Sequence, residues 1–577
     1  MKLGSNRRLA NVKTRRETGL DYVTQNLDMG TPFGKKALKD ITPFYPGEEK
    51  ELREELDRVS RMVEFVKATP DLYDAIQMVF MEMKDPRYTV ENSDTSTLSV
   101  VELYEVKSLL LQMRQLLKIS KEGVKGDYKG CHCVEECAED RLVKAESDEA
   151  SGNFTTFPTE YILEDTEALL DELDPRHDRI NTFYIYDEFS PKLGELREKK
   201  RLIEVSIRKE QKETRERLRK EYGVNLTPKF DIVVSKGHSD IEKIKNIPEL
   251  EVVDQDYMSI TFQLKATEAV QNYKKEIEDY NTLIEEEEER IRKVLSLKIA
   301  EYKDVILENC EKIGSLDLGL AKASFAIKHN MVKPEILDEH IVEIEDGRNV
   351  QVEDILNSKG KEYCPVSIAL KDGVTLITGA NMGGKTISLK LSGQVPILAQ
   401  YGFFVPAKRA RIGLSNYIQI LIGDSQSVER GLSSFGSEME ELKDILDHGY
   451  ERSIILIDEI ASGTNPSEGT ALTRSLVDYL MTKPYISLIT THFESVTETP
   501  GVVNMQVKGL SGVDFMLLNR EIQYAKRRDR INIISKYMDY RLIRVETNKQ
   551  VPKDALNIAS ILGINKEIIE GAKKYIK

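Results

Sequence analysis

No stretch of about eighteen consecutive apolar residues occurs in this chain, so no membrane-spanning helix is expected. Cysteine is scarce, five in 577 residues. That odd number does not make a disulfide framework, and a reducing, cytoplasmic setting is expected. Residues 1–16, MKLGSNRRLANVKTRR, are basic but lack the apolar centre of a secretory signal, and they read as a frayed arm. Positive charge is also in deficit: 98 Asp and Glu against 83 Lys and Arg give a formal charge of −15. Broad attraction to nucleic acid is thereby disfavoured, and any such binding is confined to a local basic patch.

What the chain does have is length and patterned charge. A length of 577 residues exceeds what one hydrophobic core supports, so two or more domains are expected. An apolar content of 40% with 31% charged residues suits globular domains that carry extended, solvated helices. Residues 1–192 read as a helical core, because ELREELDRVSRMVEFV and VELYEVKSLLLQMRQLL repeat apolar residues at three- and four-residue steps. A Gly-, Ser- and charge-rich loop insertion interrupts this core near 121–157. Within it Cys131, His132, Cys133 and Cys137 form CHCVEEC. Zinc uses such ligands, but the spacing matches no common finger and no second ligand pair follows, so no metal is assigned there.

Residues 193–320 read as an antiparallel helical arm. The segment 208–217, RKEQKETRER, is polar on every face, as in a helix that crosses solvent beside a partner. The partner helix follows after residue 266, where Tyr273, Ile277, Tyr280, Ile284 and Ile291 keep coiled-coil steps. The acidic run 285–289 is expected to be its solvated face. Between the helices, KFDIVVS and YMSITFQLKAT alternate like strands, which gives a small β-rich tip at 223–265. That tip holds five Lys and no Arg against seven acids, a poor composition for gripping phosphates.

From residue 321 onward the texture changes to short β-branched runs followed by helices, the signature of an α/β domain with a parallel sheet. GVTLITG is a buried strand, and Gly379, Ala380, Asn381, Met382, Gly383, Gly384, Lys385 and Thr386 then fit GxxxxGK[ST] at the turn into a helix. Glycines let backbone amides close on phosphates, and the helix N-terminus adds partial positive charge. Lys385 is expected to reach the β- and γ-phosphates of ATP, and the Thr386 hydroxyl to ligate Mg²⁺. A second strand, SIILIDEI, ends in Asp458 and Glu459. Paired acids there also occur as a plain helix-start preference. Beside a phosphate loop they read as a Mg²⁺-holding Asp and a Glu that orients or deprotonates the attacking water. A third strand, YISLIT, leads into Thr491 and His492, and His492 stands where it can sense the γ-phosphate.

Four strings in this order, TGANMGGKT, GDSQSVERGLSSFGSEM, ILIDEIASGTNPSEG and TTHFE, resemble the ATPase domain of the MutS family of DNA mismatch-repair and recombination proteins. The resemblance implies that residues 379–386 bind ATP and Mg²⁺, with Asp458 and Glu459 as the acids of the second strand. It also implies that Ser433 reaches the γ-phosphate bound by the opposite subunit, so that a homodimer or a heterodimer with a paralogue completes the site. Gly463 and Thr464 match the family's turn after the acids, and Tyr363 is similar in placement to its adenine-stacking aromatic. Upstream, LDMGTPFGKKALKD and LDLGLAKASFA are similar to the entry to and return from a lever core, and VPKDALNIASILGINKEIIEGAKKYI to the segment that closes the ATPase domain.

The implied fold is multidomain α plus α/β: a helical lever core, a long coiled-coil arm with a clamp-like tip, and an ABC-like P-loop ATPase and dimerisation domain over 321–577. Mismatch-reading, connector and small nuclease domains have no counterpart, so neither direct mismatch reading nor nuclease action in cis is expected. The function implied is a dimeric ATPase whose nucleotide cycle moves the arms on DNA. The alternative load is a protein client, such as an aminomutase undergoing reactivation, which the acidic tip favours.

Overall fold

The computed structural model describes residues 8–125, 157–379, 384–423, 434–510, 513–524, 530–545 and 554–575. They fall into two compact units: Glu82–Ser120 with Ile162–Lys312, and Met1–Met81 with Lys121–Tyr161 and Ile313–Lys577. Among the described residues no helix is long and apolar enough to cross a membrane. The CHCVEEC cluster of Cys131, His132, Cys133 and Cys137 lies outside the described residues.

The smaller unit is dominated by two helices, Pro191–Tyr222 and Glu268–Glu301, which lie along one another. The first opens on a proline, whose missing N–H costs nothing there, and stops at Gly223, whose φ of +70° lets its amide reach the carbonyls of Arg219 and Leu218. The second is capped by the Thr267 side chain, which accepts from the Val270 amide. Early residues of the first helix meet late residues of the second, through Lys192 with Glu287 and Arg197 with Glu288. The pair is therefore antiparallel. Ile284 and Ile291 are buried and Tyr273, Ile277 and Tyr280 half-buried.

The acidic run 285–289 departs from expectation. Glu287 is buried and accepts from Ser190 (2.8 Å), Lys192 (3.1 Å) and Arg290, which hold its carboxyl down at about 2. The hydrogen bond from Arg290 is the largest cause. One acid of the run is thus a staple at the base of the helix pair, whereas Glu285, Glu286 and Glu289 are exposed. A second buried pair joins Lys107 and Asp174 at 3.1 Å, both fully enclosed. Asp174 also accepts the Arg179 amide, and Lys107 donates to the Thr182 carbonyl.

At the far end of the two helices, β1 (Asp231–Ser235), β2 (Leu250–Gln255) and β3 (Ser259–Leu264) form an antiparallel sheet in the order β1-β3-β2. Ile260, Phe262 and Leu264 alternate inward onto Val224, Ile241, Ile244 and Ile247, while Thr261 and Gln263 point the other way.

The larger unit carries two sheets. In chain order its strands are β4 (Glu335–Leu337), β5 (Ile341–Gly347), β6 (Val366–Lys371), β7 (Gly373–Thr378), β8 (Arg409–Gly413), β9 (Tyr417–Ile422), β10 (Ser453–Asp458), β11 (Tyr485–Thr490), β12 (Val503–Gly509) and β13 (Asp539–Arg544). The six-stranded sheet runs β13-β12-β7-β11-β10-β9 and is parallel except at the β12–β13 edge. The four-stranded sheet runs β4-β8-β5-β6. Strands β7, β10 and β11 are nearly continuous runs of buried apolar residues, as parallel strands covered on both faces must be. Helix Lys385–Gln400 packs on β9, β10 and β11 and is buried almost all round.

That helix is covered in part by the N-terminal segment, which corrects the expectation of a frayed arm. From Arg8 onward the segment is ordered into the core: Leu9 is only 1% exposed, and its carbonyl accepts the Ile418 amide at 2.7 Å. Thr14 bonds to the Gln419 side chain within the core, and Lys13 pairs with Glu441 at 2.7 Å. The string GTPFG also finds its reason here. The buried Asp317 carboxylate accepts from the Thr31 amide (2.8 Å) and hydroxyl (2.7 Å), and a Cβ at Gly34 would fall 2.2 Å from it. A side chain at position 34 would drive that carboxylate off its donors.

Replacing Asp174 by Ala strands the Lys107 ammonium in the interior, and breaking a buried pair from one side costs about 3–5 kcal/mol. A urea titration followed by circular dichroism should show that loss, and the apolar double variant Lys107→Met, Asp174→Leu should recover much of it. An Asp174→Ala protein as stable as the parent would contradict the account.

Candidate nucleotide site

The parallel register brings the site together. Thr490 of β11 pairs with Ile377 of β7 and with Asp458 of β10, so the three strands end at the same level. Loops leaving the carboxyl ends of such strands open onto one crevice. The turn after β7, the acids after β10 and the histidine after β11 converge there.

Gly379 and Gly384 frame the turn with φ of +131° and +80°, values that side-chain-bearing residues rarely adopt. Position 384 is constrained twice, because a Cβ there would lie 3.0 Å from the Tyr540 ring of β13. Ala380, Asn381, Met382 and Gly383 lie outside the described residues, as does Ser433. Gly384 leads into helix Lys385–Gln400 with no side-chain cap, so the first amides of the helix face the turn.

Lys385 is almost wholly buried, and its ammonium donates to the Gly379 carbonyl (2.8 Å), to Glu459 (3.0 Å) and to Nδ1 of His492 (3.2 Å). Because an ammonium only donates, Nδ1 of His492 accepts, and Nε2–H is left to donate to Glu459 at 2.8 Å. The neutral Nε2–H tautomer satisfies both contacts. Glu459 is held down at about 2 by the hydrogen bond from His492 first and then by Lys385, against the opposing effect of burial. Burial pushes Lys385 down from its ordinary value, opposed by Glu459.

Thr386 donates its hydroxyl to Asp458 Oδ2 at 2.8 Å, and Thr490 donates to Asp458 Oδ1 at 2.6 Å. The same Thr490 oxygen accepts the Glu459 amide at 3.0 Å. One buried hydroxyl therefore sets both acids of the second strand. The turn beyond them is unusual: Glu459 and Ala461 have φ of +50° and +59°, a region non-glycine residues seldom occupy. It is held by the Thr490 carbonyl accepting the Glu459 amide and by Glu438 Oε2 accepting the Ala461 amide at 3.3 Å. Burial pushes the Glu438 carboxyl above its ordinary range. Asn465 caps the following helix Pro466–Met481 by accepting from the Ser467 amide.

Thr490, Glu438 and Tyr540 were not singled out in the sequence. Thr490 is the first residue of the TTHFE string and Glu438 lies inside GSEM, but no local pattern marks the contacts of either. Tyr363 is half-buried, its hydroxyl beside the backbone of Asn349, and burial pushes it up to about 12. Thr386 and Asp458 place hard oxygen donors side by side, the ligand type Mg²⁺ prefers, and Lys385 with uncapped helix amides suits a polyphosphate. The residues present thus fit ATP and Mg²⁺.

Residues 375–577 match the family described as MutS domain V. Among curated relatives, the Endonuclease MutS2 of Shouchella clausii (strain KSM-K16) is 31% identical over 320 residues, which covers 55% of this chain and 36% of the relative. The protein of that name from Clostridium tetani (strain Massachusetts / E88) is 32% identical over 335 residues, covering 58% and 39%. That from Clostridium botulinum (strain Okra / Type B1) is 34% identical over 264 residues, covering 44% and 33%. The match spans about a third of the length of these relatives.

Because the Glu459 carboxyl lies lower in the folded chain than its ordinary 4.5, its ionised form stabilises the fold above that value. The contribution is lost as pH falls through about 2. The melting temperature of Glu459→Gln should therefore trail the parent at neutral pH and approach it as pH drops below 4.5. A gap that stays constant over that range would refute the ion-pair geometry.

Proposed function

We propose, from the premise that this chain belongs to the MutS family, that it is a Mg²⁺-dependent ATPase that works as a dimer and acts on DNA. The observation that carries the ATPase reading is the convergence of Lys385, Thr386, Asp458, Glu459 and His492 from three strand ends within hydrogen-bond distance. Bound Mg²⁺ supplies charge neutralisation between phosphate oxygens. The chain's own residues do the rest. Lys385 and the amides of its helix bind phosphate, and Thr386 and Asp458 present the metal-binding oxygens. Glu459, charged at neutral pH, accepts a proton from a water and orients it. His492 donates through Nε2 to Glu459 and steers that carboxylate.

In this reading Ser433 completes the site of a second subunit, Tyr363 contributes to the adenine pocket, and the two long helices are the lever arm that ATP moves. Residues 1–192, 193–320 and 321–577 serve as lever core, arm and ATPase. Support for DNA comes from helix Pro191–Tyr222, whose residues 208–220 hold seven Lys and Arg against three Glu. A local excess of that kind can neutralise phosphates even in an acidic chain, with binding that weakens as salt rises.

Lys385→Ala should weaken ATP binding at least tenfold, because it removes the one buried ammonium of the site. Glu459→Gln should retain binding but lower turnover by about 100-fold or more, the usual scale for a lost general base. Hydrolysis at the parental rate by Glu459→Gln would end this assignment, and stimulation by duplex or branched DNA that fades with salt would support the load.

Thr490→Val removes the hydroxyl that positions both acids, and misplacement of this kind costs about 10–100-fold in kcat. ATP affinity should be kept, and Thr490→Ser should restore the rate. A Thr490→Val enzyme with unchanged kcat would show that the bridge does not position the acids.

A further inference from the structure

The tip sheet has a surface that the ATPase reading leaves without a use. Strand β2 is an outer strand, hydrogen-bonded on one side only, to β3. Residues 250–259, LEVVDQDYMS, hold Glu251, Asp254 and Asp256 and no basic residue. Within 252–258 four large apolar side chains face solvent: Val252 and Val253 are half exposed, Tyr257 is 100% exposed and Met258 79%. Single exposed apolar residues need no explanation, but four within seven residues of an outer strand and its turn mark an interaction surface.

The turn that carries Tyr257 and Met258 is built to hold them out. The Asp256 carboxylate accepts the amides of Met258 (2.6 Å) and Ser259 (2.6 Å) and the Ser259 hydroxyl (2.9 Å). The Asp256 amide donates back to the Ser259 carbonyl at 3.0 Å, and the Met258 carbonyl accepts the Lys236 amide at 2.9 Å. An ordered turn presents its side chains with little further loss of freedom on binding.

Charge selects the partner. Outer strands are commonly shielded by Lys or Pro, and β2 has neither; its shielding is the acids Glu251 and Asp254 and a register shift at Val253, and an oppositely charged strand turns those acids into attraction. A second copy pairing on β2 would set Glu251 and Asp254 against like charges, and phosphate would be repelled by the same acids. We propose that β2 and its turn form a docking site for an extended basic and apolar segment of another protein, added to the sheet as a further strand. Backbone bonds to the free edge of β2 give affinity. Lys or Arg side chains of the segment lie opposite Glu251 and Asp254, and its apolar side chains cover Val253, Tyr257 and Met258. DNA contacts are left to the basic stretch of the neighbouring helix. The inference does not rest on the ATPase reading, since the variants that test it leave Lys385 and Glu459 in place.

The test uses the full chain and three fluorescent nine-residue peptides: one alternating Lys and Val, the same peptide with Glu for Lys, and the Lys–Val peptide with a central Pro. Fluorescence anisotropy at low salt should show binding of the first, none of the second, and at least tenfold weaker binding of the third, because Pro breaks the added strand. The double variants Tyr257→Ser, Met258→Ser and Glu251→Lys, Asp254→Lys should each weaken binding at least tenfold, with melting temperature and ATP hydrolysis as in the parent. The proposal falls if the parent does not bind the Lys–Val peptide, or if the variants bind it as the parent does. It also falls if the variants lose duplex DNA binding while keeping the peptide.

Discussion

The parallel hydrogen bonding of β7, β11 and β10 is the constraint on which the site depends. It sets Ile377, Thr490 and Asp458 in one row, so whatever follows each strand emerges at the same level. The Thr491 amide then donates to the Ile377 carbonyl at 3.1 Å, which extends the row one residue beyond the strand. A slip of one residue along any of these strands would turn Asp458 or Thr490 to the opposite face of the sheet. The continuous apolar burial of the three strands opposes such a slip, because both faces are packed.

On that frame, the polar groups are linked so that few can move alone. Lys385 donates to Gly379, Glu459 and His492, and His492 in turn donates to Glu459. Anything that draws the ammonium toward itself loosens Glu459 and His492 together. The left-handed backbone at Glu459 and Ala461 adds a second coupling, since that conformation costs on the order of 1–3 kcal/mol per residue and is retained by Thr490 on one side and Glu438 on the other. Glu438 belongs to helix Ser434–Asp447, which begins one residue after Ser433. The helix next to the proposed subunit-bridging serine thus supports the turn that carries the acids.

The smaller unit separates its charges along its length. Glu287 anchors the base of the helix pair, basic residues crowd 208–220, and the tip turns acidic and apolar. A chain with a net charge of −15 can in this way keep one surface suited to phosphate and another that repels it. The buried carboxylate at the base also shows why a run of identical residues need not share one environment. Successive helix positions turn by about 100°, so Glu287 points inward while Glu285, Glu286 and Glu289 point to water and Glu288 pairs with Arg197.

The sequence by itself determined the α/β texture of the second half, the phosphate-loop string and the choice of Lys385, Thr386, Asp458, Glu459 and His492 as candidates. Each is carried by a pattern within about ten residues, where periodicity, glycine and strand-end position act locally. Only the tertiary structure decided which groups hold them. Thr490 meets Asp458 across 32 positions of chain, Glu438 meets Ala461 across 23, and the basic N-terminal segment is packed into the core by partners more than 400 positions away. Those contacts depend on strand register and on which faces are covered, and no local pattern records them. The same reason hid the burial of Glu287 and the exposure of Tyr257 and Met258: a side chain's surroundings are set by what folds against it.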